Sequence, residues 1–280
     1  MRIALLPTTG GGSYRATLLI LATLGILVSA LPVVVVTIMS FSASDSSGFP
    51  PEGYSLRWYG EVARMFTEED PSSAQSVLGS TLASLLVAVI VMGVSTGVCI
   101  PLAYALARGE RRVRAGMELL FTLPLVFPLV MLGIAFLLIA ESLSVDLGIW
   151  RIAIPHIVLV LPFVLRNCLS AMNGISVEIE EAAISLGASP LRAIRDVVIP
   201  LMRAGILAGL IFALIISFNE FTITFFMYTI DVSTLPIWMY SRTVSSLDPS
   251  TLALSVFIIA ADVLLIVLVD KLIAGKGNLF

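Results

Sequence analysis

The chain has 280 residues, of which 58% are hydrophobic and 12% are charged, with a formal net charge of −3. A soluble domain carries about 25% charged residues, so this composition excludes a chain with an ordinary water-exposed surface and predicts that most of it faces lipid. No basic patch indicates a nucleic-acid partner. The two cysteines, Cys99 and Cys168, lie in apolar runs without CxxC spacing and are predicted to be packing residues.

The first apolar run covers residues 16–41. At 1.5 Å per residue its length is about 39 Å, more than the hydrocarbon core of about 30 Å, so we predict a retained transmembrane helix rather than a cleaved signal. Residues 1–15 and 273–280 are the N- and C-terminal segments that flank the transmembrane part of the chain.

Further apolar segments that are long enough to cross a membrane cover residues 76–107, 117–140, 150–172, 202–227 and 249–272. The predicted fold class is therefore all-α integral membrane, with six transmembrane helices in a single domain over residues 16–272. Pro124 and Pro128 each remove a backbone donor, which predicts a bend in the third span. Such a bend is compatible both with lining a path and with fitting neighbouring helices.

Orientation follows from the Lys and Arg residues in the connections, because positive residues stay with the cytoplasm. One side holds Arg2, Arg15, Arg108, Arg111, Arg112, Arg114, Arg166, Arg192, Arg195, Arg203, Lys271 and Lys276. The other side holds Arg57, Arg64, Arg151 and Arg242. This distribution predicts an inner (cytoplasmic) membrane protein with both termini in the cytoplasm.

The segment 42–75 is then extracytoplasmic, and it is predicted to form a loop with a short interfacial helix. Trp58, Tyr59 and Trp150 are placed where aromatic rings favour the headgroup region, so simple interfacial anchoring is the expected role.

Between the fourth and fifth spans, residues 173–200 are too polar to cross the membrane and predict two short cytoplasmic helices that meet at an elbow. The first helix, over 177–188, has Glu178, Glu180 and Glu181 near its positive end. Ser189 suits an N-cap and Pro190 a first helical position, so a second helix is predicted from there to residue 198, ending before Pro200.

Ala183 and Gly187 are four residues apart, so on a continuous helix they share a face to which another surface can come close. From spacing alone, a partner socket and a linker packed on its own bundle are equally compatible with this pattern. The pattern of the segment is carried by Glu181, Ala182, Ala183, Gly187, Val197, Ile199 and Pro200. It resembles the EAA loop of ATP-binding-cassette importer permeases, with conservative departures at residues 197 and 199.

Residues 56–59, 217–221 and 234–236 extend the resemblance to the second permease of spermidine/putrescine-type importers. The resemblance implies the type I (MetI-like) permease fold, with a second permease, two ATPase subunits docked on the elbows and a periplasmic or lipid-anchored binding protein. It implies no cofactor and no catalytic residue in this chain, since ATP and Mg²⁺ would lie on the ATPases. Glu181 would pair with a basic ATPase residue, Ala182, Ala183 and Gly187 would give a close fit, and the elbow up to Ser189 would move with the ATPase.

Carboxylates inside the membrane are costly and mark candidate pathway positions. Glu220, at about 27 Å along the fifth span, is the first candidate and Asp262 in the sixth span is the second. Asn219, Tyr228 and Tyr240 are candidate neighbours, and a pair of buried carboxylates suits a polyamine. The alternative for each carboxylate is a hydrogen bond to a neighbouring helix or to the partner permease.

The sequence leaves three alternative functions to consider. An importer of phosphonate, thiosulfate or an opine shares the scaffold but needs pathway cations, of which only Arg166 and Arg242 near segment ends qualify. An intramembrane hydrolase needs a nucleophile with a base or a metal, and the only histidine, His156, has no acidic or cysteine partner at useful spacing. A secondary transporter usually has paired repeats, which the two halves of the chain do not display.

Overall fold

A computed structural model describes residues 12–45, 48–68, 70–143, 146–245 and 248–274. The helices in these residues are α1 Gly12–Ser40, α2 Arg57–Glu68, α3 Val77–Arg108, α4 Arg111–Thr122, α5 Leu129–Leu143, α6 Trp150–Asn173, α7 Val177–Ser185, α8 Pro190–Ala193, α9 Ile199–Phe218, α10 Thr224–Met227, α11 Leu235–Ser245 and α12 Pro249–Ala274. Most of both predicted terminal segments, with Arg2 and Lys276, lies outside the described residues.

The predicted all-α membrane class is confirmed. Within the described residues, five helices are long and apolar enough to cross a membrane, and the number is six if α4 and α5 form one bent span. Helices α1, α3, α6 and α12 match their predicted spans closely at both ends. Ser76 explains the start of α3, because its hydroxyl accepts a hydrogen bond from the Gly79 N–H as an N-cap does.

The predicted bend in the third span is confirmed. The axes of α4 and α5 differ in direction by 93°, so the chain turns through about a right angle between the two helices. A single 3₁₀ turn, Leu123–Leu125, follows α4 and contains Pro124. Pro128 then precedes α5, and its carbonyl accepts the Met131 and Leu132 N–H groups. Two prolines four residues apart remove two donors from one helical ladder, so the chain turns here and starts a new helix.

The prediction that the second elbow helix ends before Pro200 is wrong. A π-helical turn, Ile194–Val198, follows α8 and leads directly into α9, so helical backbone continues from Pro190 to Phe218. Pro200 occupies the first turn after this segment, where α9 begins. A proline lacks the N–H of a regular helical ladder, and the wider π turn accommodates that loss without ending the helix.

The chain divides into two compact units, of which the first holds residues 12–62 and 248–258 among those described. In this unit the Tyr59 hydroxyl lies 2.7 Å from the Ser40 hydroxyl, and the Trp58 indole N–H donates to the Ser42 carbonyl at 2.8 Å. The Tyr59 ring also packs on Phe41 and Phe257. Besides any interfacial role, these two aromatic residues therefore fasten the start of α2 to the end of α1.

Among the described residues, the second unit holds those between 63 and 245 and residues 259–274, and its core lies where α3, α6 and α9 pack together. Both cysteines are buried there, as predicted. Gly205 and Gly209 lie one turn apart on α9 and allow close approach to α6, because a β-carbon at Gly205 would lie 2.5 Å from the Ala171 Cβ. Small residues at four-residue spacing commonly bring membrane helices together in this way.

Candidate functional site

The elbow begins with α7, Val177–Ser185, directly after Ser176 in an extended conformation. Glu178 and Glu180 lie in the first turn, as predicted, where the helix dipole favours negative charge. Hydrogen bonds from its own backbone N–H and from the Ser176 hydroxyl hold the pKa of Glu178 below its usual range. Glu178 is therefore an exposed, permanently charged carboxylate at neutral pH.

Helix α7 ends earlier than predicted, at Ser185, and the following turn explains Gly187. The Ala188 N–H donates to the Ala183 carbonyl at 3.1 Å and the Gly187 N–H to the Ile184 carbonyl at 2.9 Å, which is a Schellman motif. Gly187 has a φ of +96°, a left-handed conformation that favours glycine. The prediction that Ala183 and Gly187 share a helix face is therefore wrong, because Gly187 lies beyond the helix and turns the chain.

Ser189 has the extended backbone of an N-cap and Pro190 opens α8, as predicted, although the Ser189 side chain makes no capping hydrogen bond. Instead, its carbonyl accepts the Ala193 N–H at 2.9 Å. The elbow thus consists of α7, a glycine turn and a short second helix.

Four exposed residues of the elbow, which we call its exposed face, are Glu181, Ala182, Leu186 and Leu191. Leu186 is 89% exposed and Leu191 79% exposed, while Ala183 is half-buried. Exposed leucines beside a carboxylate are typical of a protein interaction site rather than of a solvated loop. The two leucines were not among the predicted contact residues, although their apolar character within a polar segment was a usable signal.

Glu220 does not lie within a spanning helix as predicted, because α9 ends at Phe218 and the short α10 starts at Thr224. The Glu220 carboxylate accepts the backbone N–H groups of Ile223 and Thr224, at 2.8 and 2.9 Å, and also the Thr224 hydroxyl. The residue is only 6% exposed. Glu220 therefore stabilises the break in the fifth span by capping α10.

His156 on α6 has partners that the sequence analysis did not find. Its Nδ1 lies 3.0 Å from the Ser217 hydroxyl, its Nε2 lies 2.8 Å from the Thr224 hydroxyl, and the Glu220 carboxylate is 3.4 Å from Nε2. All four side chains are buried. The sequence spacing predicts no acidic partner for His156, and this prediction is wrong because Glu220 lies beside it. This buried set joins α6, α9 and α10, and Ser217 is only 3% exposed.

Asn219 and Asp262, two predicted pathway residues, are brought together. The Asn219 side-chain amide donates to an Asp262 carboxylate oxygen at 2.9 Å. Asp262 lies midway along α12 and is partly exposed, and Asn219 is exposed. A carboxylate at this depth with one accessible side can receive a cation or contact a partner helix.

Tyr240, the remaining predicted pathway residue, belongs to an aromatic cluster with Phe221, Phe225 and Tyr228. The Tyr240 ring centroid lies 5.0 Å from that of Phe221 and 5.6 Å from that of Phe225. Phe225 also lies 6.2 Å from Tyr228. Tyr228 and Tyr240 are each 44% exposed, so the cluster offers accessible ring faces of the kind that attract cations. Phe221 and Phe225, four residues apart, were missed.

The apolar spans and the exposed elbow between α6 and α9 are features of a polytopic membrane protein with a surface for a partner. Residues 97–275 match the family of inner membrane components of binding-protein-dependent transport systems. The chain belongs to this family, and its fold is that of an ATP-binding-cassette importer permease.

Two relatives and one solved structure extend the comparison. The chain is 24% identical over 248 residues to the spermidine/putrescine transport system permease protein PotC of Haemophilus influenzae, covering 89% of this chain and 92% of the relative. It is 28% identical over 178 residues to the putative 2-aminoethylphosphonate transport system permease protein PhnV of Salmonella typhimurium, covering 63% and 67%. A bacterial ABC transporter involved in the import of the polysaccharide alginate has the same fold, with a TM-score of 0.66, 18% identity and coverage of 97% and 99%.

Proposed function

We propose that this permease forms one half of the translocation path of an ATP-driven polyamine importer, with spermidine or putrescine as the solute. The observation that carries the substrate class is the Asn219–Asp262 pair, a partly exposed carboxylate in a membrane-spanning helix. An amine cation would supply the positive counter-charge that a carboxylate needs inside the membrane. The accessible rings of Tyr228 and Tyr240 would add cation–π attraction. The similarity to spermidine/putrescine permease PotC supports the same solute.

The proposed complex contains this chain, a second and different permease, two ATPase subunits that bind ATP and Mg²⁺, and a periplasmic or lipid-anchored binding protein. Both termini and the elbow lie in the cytoplasm, in agreement with the distribution of Lys and Arg along the chain. ATP binding closes the ATPase dimer, which carries the exposed face of the elbow with it and rocks the helices between inward-open and outward-open states. This chain carries out no chemistry itself.

A second candidate solute is 2-aminoethylphosphonate, favoured by the similarity to PhnV. This molecule also has an ammonium group, so Asp262 would suit it equally, but its phosphonate needs a cation as well. Arg242 is a candidate, since it lies beside Trp238 in a cavity of about 480 Å³ that Tyr228 also lines. Uptake with competing solutes separates the two candidates.

The test is uptake of radiolabelled putrescine and spermidine into cells that express the complete complex, with and without this chain. Unlabelled 2-aminoethylphosphonate and thiosulfate serve as competitors. We expect uptake to be lost without this chain and to be blocked by unlabelled polyamines only. Inhibition by 2-aminoethylphosphonate would assign the second candidate, and uptake that is unchanged without the chain would contradict both.

A further inference from the structure

Glu180 lies next to Glu181 on α7, but its side chain is buried in the protein. Consecutive residues of a helix are about 100° apart, so two adjacent carboxylates can serve different surfaces. Glu181 is exposed, whereas the side chain of Glu180 is only 9% exposed. A buried carboxylate is costly unless it is paired, so its partners show what holds it.

The partners of Glu180 come from the last turns of α3. The Tyr104 hydroxyl donates to one carboxylate oxygen, and the Arg108 Nε donates to the other at 3.3 Å. Tyr104 and Arg108 are four residues apart and therefore lie on one face of α3. The two hydrogen bonds use both oxygens of Glu180, so the carboxylate is fixed in position and in rotation.

Arg108 also binds Ile175, in the connection between α6 and α7. Its two terminal nitrogens lie 3.4 and 3.3 Å from the Ile175 carbonyl and donate to it. One guanidinium fork thus joins the end of α3, the chain just before α7 and the first turn of α7. We call Tyr104, Arg108, Glu180 and Ile175 the α3 clamp.

We infer that the α3 clamp transmits movement of α7 to α3 and so to the helix core, beside the continuous helix that joins α8 to α9. Helix α7 packs against α8 and the π turn of its own segment, whereas α3 packs against α6 and α9 in the core. The clamp therefore joins the part that would be moved by the ATPase to the part that would open the path. Glu180 is a positioning residue in this scheme, which rests on the proposed function.

The test compares the assembled complex in proteoliposomes, with Glu180→Gln against Glu178→Gln. Both changes remove one carboxylate from the first turn of α7, but Glu178 is exposed and outside the clamp. We expect Glu180→Gln to lower putrescine transported per ATP hydrolysed by about tenfold, the effect of losing one charge-assisted hydrogen bond, while ATP hydrolysis and subunit association persist. Glu178→Gln should retain the ratio of the unaltered complex.

A charge-exchange variant tests whether Glu180 acts through its pair with Arg108 or only through the general stability of the permease. Exchanging the charges in the double variant Arg108→Glu, Glu180→Arg should restore part of the transport ratio relative to either single variant, because the ion pair re-forms in reverse although the bonds to Ile175 and from Tyr104 do not. An unchanged ratio in Glu180→Gln, or a double variant no better than either single variant, would overturn the inference.

Hydrogen exchange keeps the inference testable apart from transport. In the full complex in nanodiscs without ATP, Glu180→Gln should raise amide exchange of residues 177–185 by about tenfold, whereas Glu178→Gln should not. Equal protection in both variants would contradict the clamp. If the unaltered complex moved no putrescine, the proposed function would fail while the exchange experiment still decided whether the clamp holds α7.

Discussion

Replacing Glu181 with alanine is expected to lower solute-stimulated ATP hydrolysis by at least about tenfold while the permease remains folded. Glu181 is exposed on α7 and makes no contact that supports the fold, in contrast to Glu180 beside it. Its carboxylate is free to pair with a basic residue of the ATPase, and removing one member of a charge pair buried in an interface leaves the other unpaired. The measurement is ATP hydrolysis by the reconstituted complex with and without loaded binding protein.

The matched control is Glu178→Ala, which removes an exposed carboxylate from the preceding turn of the same helix and so separates the role of Glu181 from a general loss of negative charge on α7. Co-purification of the subunits shows whether association has changed. Stimulation in Glu181→Ala that equals the unaltered complex would remove Glu181 from the coupling scheme.

Replacing Asp262 with asparagine is expected to lower polyamine uptake by about tenfold or more, because an ammonium ion loses a charged acceptor. The amide keeps the size of the side chain and can still accept a hydrogen bond from Asn219. We therefore expect the amount of assembled complex to stay the same. The measurement is initial uptake of putrescine, normalised to the complex recovered from the membrane.

The matched comparison is Glu220→Gln, the same chemical change at the other acidic candidate. A glutamine amide nitrogen cannot accept a hydrogen bond, so one of the α10 N–H groups capped by Glu220 loses its partner. The free energy of unfolding should fall by about 1–3 kcal/mol, and uptake per assembled complex should persist. Normal uptake in Asp262→Asn together with selective loss in Glu220→Gln would reverse the two assignments.

The spanning helices were predictable because their signal is local. A lipid-facing helix needs about 20 apolar residues, and proline or a capping serine marks its ends or its bend, as at Ser76, Pro124 and Pro128. The position and approximate extent of the elbow were predictable for the same reason, since its acids, Ser189 and Pro190 lie within one short stretch.

Features that depend on distant partners were not predictable in this way. Glu220 appeared to belong to a continuous span, but its carboxylate caps α10 and lies beside His156, which is 64 residues away in the chain. Gly187 was expected to clear space for a partner, whereas its φ of +96° shows that it turns the chain. The EAA pattern singles out Glu181, but it gives no role to Glu180, whose burial depends on the approach of Tyr104 and Arg108 from α3.

The most direct test of the proposed function is accumulation of radiolabelled putrescine in proteoliposomes that contain this chain, the second permease and the ATPase, with the binding protein on the outside and ATP on the inside. We predict accumulation against a gradient that requires both this chain and hydrolysable ATP. Accumulation that persists without ATP or without this chain would contradict its assignment as the coupled permease of a polyamine importer.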